Sequence, residues 1–203
     1  MKRNRCRRRR HHKVERLLKW YDAVEVPDPM VPGFTIVTTP LPTIPATFGP
    51  EITLPVEVRL RRINSDDREE LKATIVWTFG FPFAGAVPQI EVASQQMQFS
   101  IWRDAPLTGT RLCTVIDSGH ITEILTAPVT NVTNTLTTTF ICVDKNVSGR
   151  RHNYFLTAAA GMADGFTVFI GDQGGPPSPI TTFIAPIINE VHLDGSVIDE
   201  NET

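Results

Sequence analysis

The chain has 203 residues, 41% of them apolar and 21% charged, with a formal net charge of −2. That length allows one domain with a substantial core, and no apolar run is long enough to cross a bilayer. The charge is unevenly placed: residues 1–19 hold ten Lys/Arg against one acid, Glu15, and carry +9, whereas the remaining 184 residues carry −11.

A basic arm opens the chain, with Arg3, Arg5, Arg7, Arg8, Arg9 and Arg10 all among its first ten residues. Such an arm is expected to bind an anionic partner. The candidates are nucleic acid, through salt-sensitive phosphate contacts without sequence readout, and acidic protein surfaces, including those of neighbouring copies. No aromatic residue precedes Trp20, so base stacking is not indicated. Cys6 lies between arginines that favour its thiolate, which makes it a candidate intermolecular cross-link. The arm continues into HHKVERLLKWYD, charged throughout where an export signal would be apolar. The expectation is a protein that reaches its destination without crossing a membrane by itself.

Val14, Leu17, Leu18 and Tyr21 are spaced i, i+3, i+4, i+7 and predict a short amphipathic helix over roughly 13–23. Residues 1–26 are therefore read as arm plus helix. Residues 27–50 form a proline-rich linker; eight of the 16 prolines fall between Pro27 and Pro55, and FTIVTT (34–39) offers one strand within it.

The period then becomes two. Ile52, Leu54, Val56, Val58 and Leu60 alternate, and after NSDD (64–67) so do Leu71, Ala73, Ile75, Trp77 and Phe79. This pair predicts a long antiparallel hairpin, with Pro55 placing its first strand at an edge or a bulge. Short strands follow at 88–92, 97–104, 111–117, 120–129, 135–144, 150–158, 166–171 and 180–188, separated by Gly- and Pro-rich turns. Thr and β-branched residues dominate 126–143, as suits a half-exposed pleated surface. The fold class is all-β, an antiparallel jelly-roll sandwich over 51–192, with an acidic tail at 193–203. Cys113 and Cys142 sit in strands and read as small buried hydrophobes rather than a bridge.

No catalytic, cofactor or metal site is expected. Asp117, Ser118 and His120 form the cluster DSGH, which matches a tight turn better than a triad. His11, His12 and Cys6 have no second Cys/His pair at zinc spacing, and His152 and His192 look isolated. DQGG (172–175) has one acid, too few for a calcium loop. Glycosylation sequons at Asn131, Asn146 and Asn201 read as chance in a Thr-rich chain. A carbohydrate-binding sandwich would need exposed aromatics on one face, and Trp77 and Trp102 read at least as well as core.

Two stretches resemble small spore-surface proteins of Bacillus-type bacteria. MQFSIWRDAPLTGTRLCTVIDSG (97–119) resembles their apolar strand, Arg-Asp turn and second strand; TTTFICVDKNVSGRRHNYFLTAA (137–159) is similar to their strand–Asp–Asn-Val–Gly–strand hairpin. The likeness covers roughly 51–190. It implies an exosporium or spore-coat protein, made in the mother-cell cytoplasm, with a C1q/tumour-necrosis-factor-like jelly-roll body. It also implies a homo-oligomer, a trimer or larger ring, in contact with other spore-surface proteins. The second expectation from the residues is a virus-like jelly-roll capsid protein whose arm holds packaged nucleic acid.

Overall fold

The computed structural model describes residues 18–27, 36–43, 46–83, 85, 87–145, 147, 149–170 and 175–199. They form ten strands: β1 (Leu18–Val26), β2 (Val37–Thr38), β3 (Ile52–Arg61), β4 (Asp67–Pro82), β5 (Gln89–Arg103), β6 (Thr110–Leu125), β7 (Asn131–Lys145), β8 (Arg151–Phe169), β9 (Ser178–Pro179) and β10 (Ile184–Asp199). Two antiparallel sheets pack face to face. Sheet I has the order β1-β10-β4-β7, with β2 beside β10; sheet II has the order β3-β8-β5-β6, with β9 beside β8.

The alternating residues supply the core from both sheets. Leu71, Ile75, Trp77, Phe79 and Phe81 of β4 face Met97, Phe99 and Ile101 of β5 and Tyr154 and Leu156 of β8, all buried. The Trp77 indole N–H donates to Thr138 Oγ1 at 2.9 Å, and that hydroxyl donates to Asp117 Oδ2 at 2.6 Å. A polar relay thus crosses between the sheets without leaving the indole nitrogen unsatisfied. Trp102 is buried as well, its N–H on Thr157 and its ring under the Arg111 guanidinium. Neither body tryptophan is therefore presented as a sugar platform.

Four expectations are corrected. First, residues 18–23 are strand, not helix; residues 13–17 lie outside the described residues. The edge of β10 offers a full ladder to this segment, and Trp20, Val24 and Val26 read equally well at period two, packing against the core. Second, β3 and β4 are not a hairpin, since β3 pairs with β8 and β4 with β10 and β7. The turn after β3, with Arg62 in the left-handed region at φ 64°, carries the chain from one sheet to the other. Both strands bury one face either way, so alternation cannot separate the two topologies. Third, Cys113 of β6 and Cys142 of β7 form a disulfide, Cα–Cα 6.2 Å, that joins the outer strands of the two sheets. Fourth, β10 runs to Asp199, so most of the acidic segment 193–203 is sheet, and among the described residues strand already starts at Leu18, ahead of residue 51.

Two further expectations hold, whereas the short strands read at 88–92 and 97–104, at 111–117 and 120–129, and at 150–158 and 166–171 run together as β5, β6 and β8. Pro55 sits on the edge strand β3, within the register shift between Thr53 and Glu57. FTIVTT contributes the short strand β2.

The two open sides of the sandwich are closed by side chains. On the side of β6 and β7 stands the disulfide. On the other, the Asp22 carboxylate accepts from the Arg59 N–H at 2.8 Å, and the Trp20 indole donates to the Arg59 carbonyl at 3.2 Å. Unpaired backbone groups of an edge strand, which invite foreign strands, are thereby occupied.

DSGH is not a turn; it lies inside β6. Its glycine is explained by packing, because a Cβ on Gly119 would come within 2.5 Å of Phe79, 2.6 Å of Leu136 and 3.0 Å of Trp77. Gly119→Ala is expected to destabilise the fold by about 1–2 kcal/mol through overpacking. Urea denaturation at unchanged slope checks this.

Candidate functional site

The arm residues Arg3, Arg5, Arg7, Arg8, Arg9 and Arg10, and Cys6, lie outside the described residues. Their point of attachment is defined. The arm joins the body at Leu18, paired with Ile198 near the end of β10. Lys19 there bridges Asp67 at 2.6 Å and Asp199 at 3.0 Å. Burial works against the Lys19 charge, but its hydrogen bonds to the two carboxylates outweigh it and raise the pKa. The root of the arm is therefore pinned to sheet I through charge as well as backbone pairing.

Beside this root, at the same end of the sandwich, lies a buried charged cluster. Arg103 of β5 reaches across to Asp144 of β7, Nη1 to the two carboxylate oxygens at 2.9 and 2.8 Å, and the Tyr154 hydroxyl donates to Asp144 Oδ2 at 3.2 Å. Glu69 of β4 is paired in register with Asp144 and fully buried. Neither of its carboxylate oxygens has a partner other than its own amide. Burial first, then the negative charges of Asp144 and Asp67, push the Glu69 carboxyl up to about 7, against the weaker pull of Arg103. Burial, and then the negative charges of Asp144 and Glu69, push the Tyr154 phenol up. This cluster was missed in the sequence, although continuing the alternation of β4 backwards from Leu71 puts Glu69 and Asp67 on the inward face.

The outer faces differ. On sheet I, β4 and β7 present a threonine ladder, with Thr74 and Thr139 hydroxyls 3.1 Å apart and Thr78 and Thr135 2.7 Å apart. On sheet II, register places Ile90 between Ile124 and Val168, and Val92 beside Phe166. Ile124 is 64% exposed and Phe166 40%. The result is an apolar patch across three strands of the outer face.

The histidines are not isolated. His152 is buried, its Nδ1 2.9 Å from Asp104 Oδ1. His192 Nε2 lies 3.4 Å from Glu25 Oε1 and also contacts Glu190, tying β1 to β10. Among the described residues, Glu25, Glu190 and His192 are the one group whose donor atoms converge closely enough for a metal ion. The DSGH side chains do not assemble into a triad. Asp117 is committed to Thr138 and to the Ser118 N–H, while Ser118 and His120 are exposed on the outer face of β6. No helix among the described residues is long and apolar enough to span a membrane. No family model matches this chain, and no curated protein or solved structure matches it either.

Proposed function

We propose that this chain is a non-enzymatic structural protein of the bacterial spore surface, exosporium or coat, that acts by self-assembly. The body is read as a jelly roll. Support comes from the strand orders β1-β10-β4-β7 and β3-β8-β5-β6, with the chain crossing between sheets at most connections. The observation that carries the reading is the charge split: a +9 segment leaves an acidic, closed sandwich from its outermost strand, β1. An arm so placed complements the body of the next copy better than its own. The apolar patch on sheet II offers a second contact, to another copy or to a neighbouring surface protein. The spore setting rests on the resemblance of residues 97–119 and 137–159.

A second reading is favoured by the six arginines of the arm: a jelly-roll shell whose arm holds nucleic acid. One experiment separates the two. The purified chain is expected to sediment as a trimer or larger ring, free of nucleic acid, and to shift to smaller species when Arg3, Arg5, Arg7, Arg8, Arg9 and Arg10 are all replaced by Gln. A high 260/280 absorbance ratio that falls in salt would favour the capsid reading. A monomer at micromolar concentration would end both.

A further inference from the structure

At the end of the sandwich opposite the arm root, a cavity of about 230 Å³ opens between Phe81, Phe169, Thr167 and Ile180. Glu91 lines it, only 1% exposed. Its two carboxylate oxygens are held by neutral donors, the Gln89 side-chain amide on one and the Thr167 hydroxyl, at 2.7 Å, on the other. A second buried acceptor, Gln89 Oε1, has no partner.

A buried carboxylate without a cation is costly, and folded proteins seldom tolerate one. No Lys or Arg from position 18 onward supplies the cation here. All of them lie in the described residues, and none forms an ion pair with Glu91. The Lys and Arg residues outside the described residues all fall between Lys2 and Arg16.

We propose that this cavity is a guanidinium-binding site with Glu91 as its anionic floor. Each oxygen of Glu91 already accepts one hydrogen bond, which fixes the carboxylate plane and leaves a lone pair on both for a planar, two-pronged donor. The walls suit the same group, since two phenyl rings can cover a guanidinium face. A guanidinium also sheds water more readily than an ammonium. Two sources supply this chemistry: an arginine of another copy's arm, or a free guanidino compound. The chain's own arm is a poor source. Strand β4 separates the arm root from the cavity by about 50 Å, close to the roughly 58 Å that 17 fully extended residues span.

The test uses N-acetyl-L-arginine amide as probe and its glutamine counterpart as uncharged control, with binding read by calorimetry. The hosts are the full-length chain and the full-length variant with the six arm arginines replaced by Gln. Saturable binding of the arginine probe alone is expected in the arm variant, weakened at least tenfold by Glu91→Gln and several-fold by Phe169→Ala. Binding several-fold weaker in the unaltered chain than in the arm variant would assign the site to arms of other copies. Equal binding would assign it to free guanidino compounds. Absence of binding, or binding indifferent to both Glu91→Gln and Phe169→Ala, overturns the proposal. Sedimentation of the same proteins reports on assembly separately, so the pocket and the assembly reading fail independently.

Discussion

Replacing Glu69 by glutamine is expected to stabilise this protein by about 2–3 kcal/mol above pH 7 and to change little below pH 4.5. The cause lies in what surrounds the side chain. Glu69 is fully buried, accepts no hydrogen bond from another residue, and faces Asp144 across the β4–β7 ladder with Asp67 two residues away on its own strand. Arg103 pulls the other way, but both of its short bonds go to Asp144. The folded protein therefore holds Glu69 protonated up to about pH 7, while the unfolded chain releases that proton near the ordinary value of 4.5. Since the folded state binds the proton more tightly, its advantage is complete below 4.5, declines between 4.5 and 7, and is gone above 7. Glutamine mimics the protonated form at every pH and removes the decline. Urea unfolding of both proteins at pH 4.5, 6 and 8 measures the difference. A gain of equal size at all three values would mean that Glu69 is not the titrating group. The Arg103–Asp144 pair stays intact in this variant, so the comparison isolates one buried charge rather than a broken ion pair.

What could be read from the sequence follows from what alternation encodes. Inward and outward faces of β3 and β4 are visible because Leu, Val, Ile, Trp and Phe recur at period two, and Pro55 announces an edge. Pairing partners were not visible. The Ile52–Leu60 and Leu71–Phe79 runs look like a hairpin whether their strands share a sheet or face each other across the core, because the same residues are buried in both cases. The first strand was misread because Leu17, Leu18 and Tyr21 satisfy a helical stripe while Trp20, Val24 and Val26 satisfy a strand. Only the free edge of β10, a hundred and seventy residues later, decides between them. Charged residues on the inward face were the least legible part. Glu69, Asp144 and Glu91 are ordinary acids in sequence and become distinctive only when three or four strands converge on them. The arm is the reverse case: its composition speaks plainly, and its site of attachment, beside Lys19, Asp67 and Asp199, came from the fold.

Removing the cross-sheet disulfide is expected to cost about 3–4 kcal/mol, the largest effect of any change considered. Cys113 and Cys142 are 29 residues apart in sequence and lie on the last strands of opposite sheets. In the unfolded chain the bond closes a loop of that length, and the lost chain entropy corresponds to the quoted cost. In the folded chain, among the described residues, β6 and β7 are otherwise tied directly by the bond from Thr138 to Asp117 and that from Asn134 Nδ2 to the His120 carbonyl, 2.8 Å, with the Arg103–Asp144 pair crossing from β5 to β7 at the far end. The opposite side has no disulfide and relies on Trp20 and Asp22 bonded to the backbone of Arg59. Loss of the bond should therefore loosen β6 against β7 first, and amide exchange should rise there while β1 and β3 stay protected. For a chain of this length the melting temperature should fall by roughly 10 °C. The Cys113→Ala, Cys142→Ala and double variants should melt alike, since each lacks the same bond, and the unaltered protein should join them after reduction. A reduced protein that melts with the oxidised one would show that the sheets are held without the bridge. The bond also bears on where the protein works, because such bridges persist only under oxidising conditions. A chain made in a reducing compartment and displayed on an exterior surface would gain these kilocalories only after release. Its assembly would then tighten with exposure to air, and thiol titration before and after exposure would show two thiols disappearing per chain.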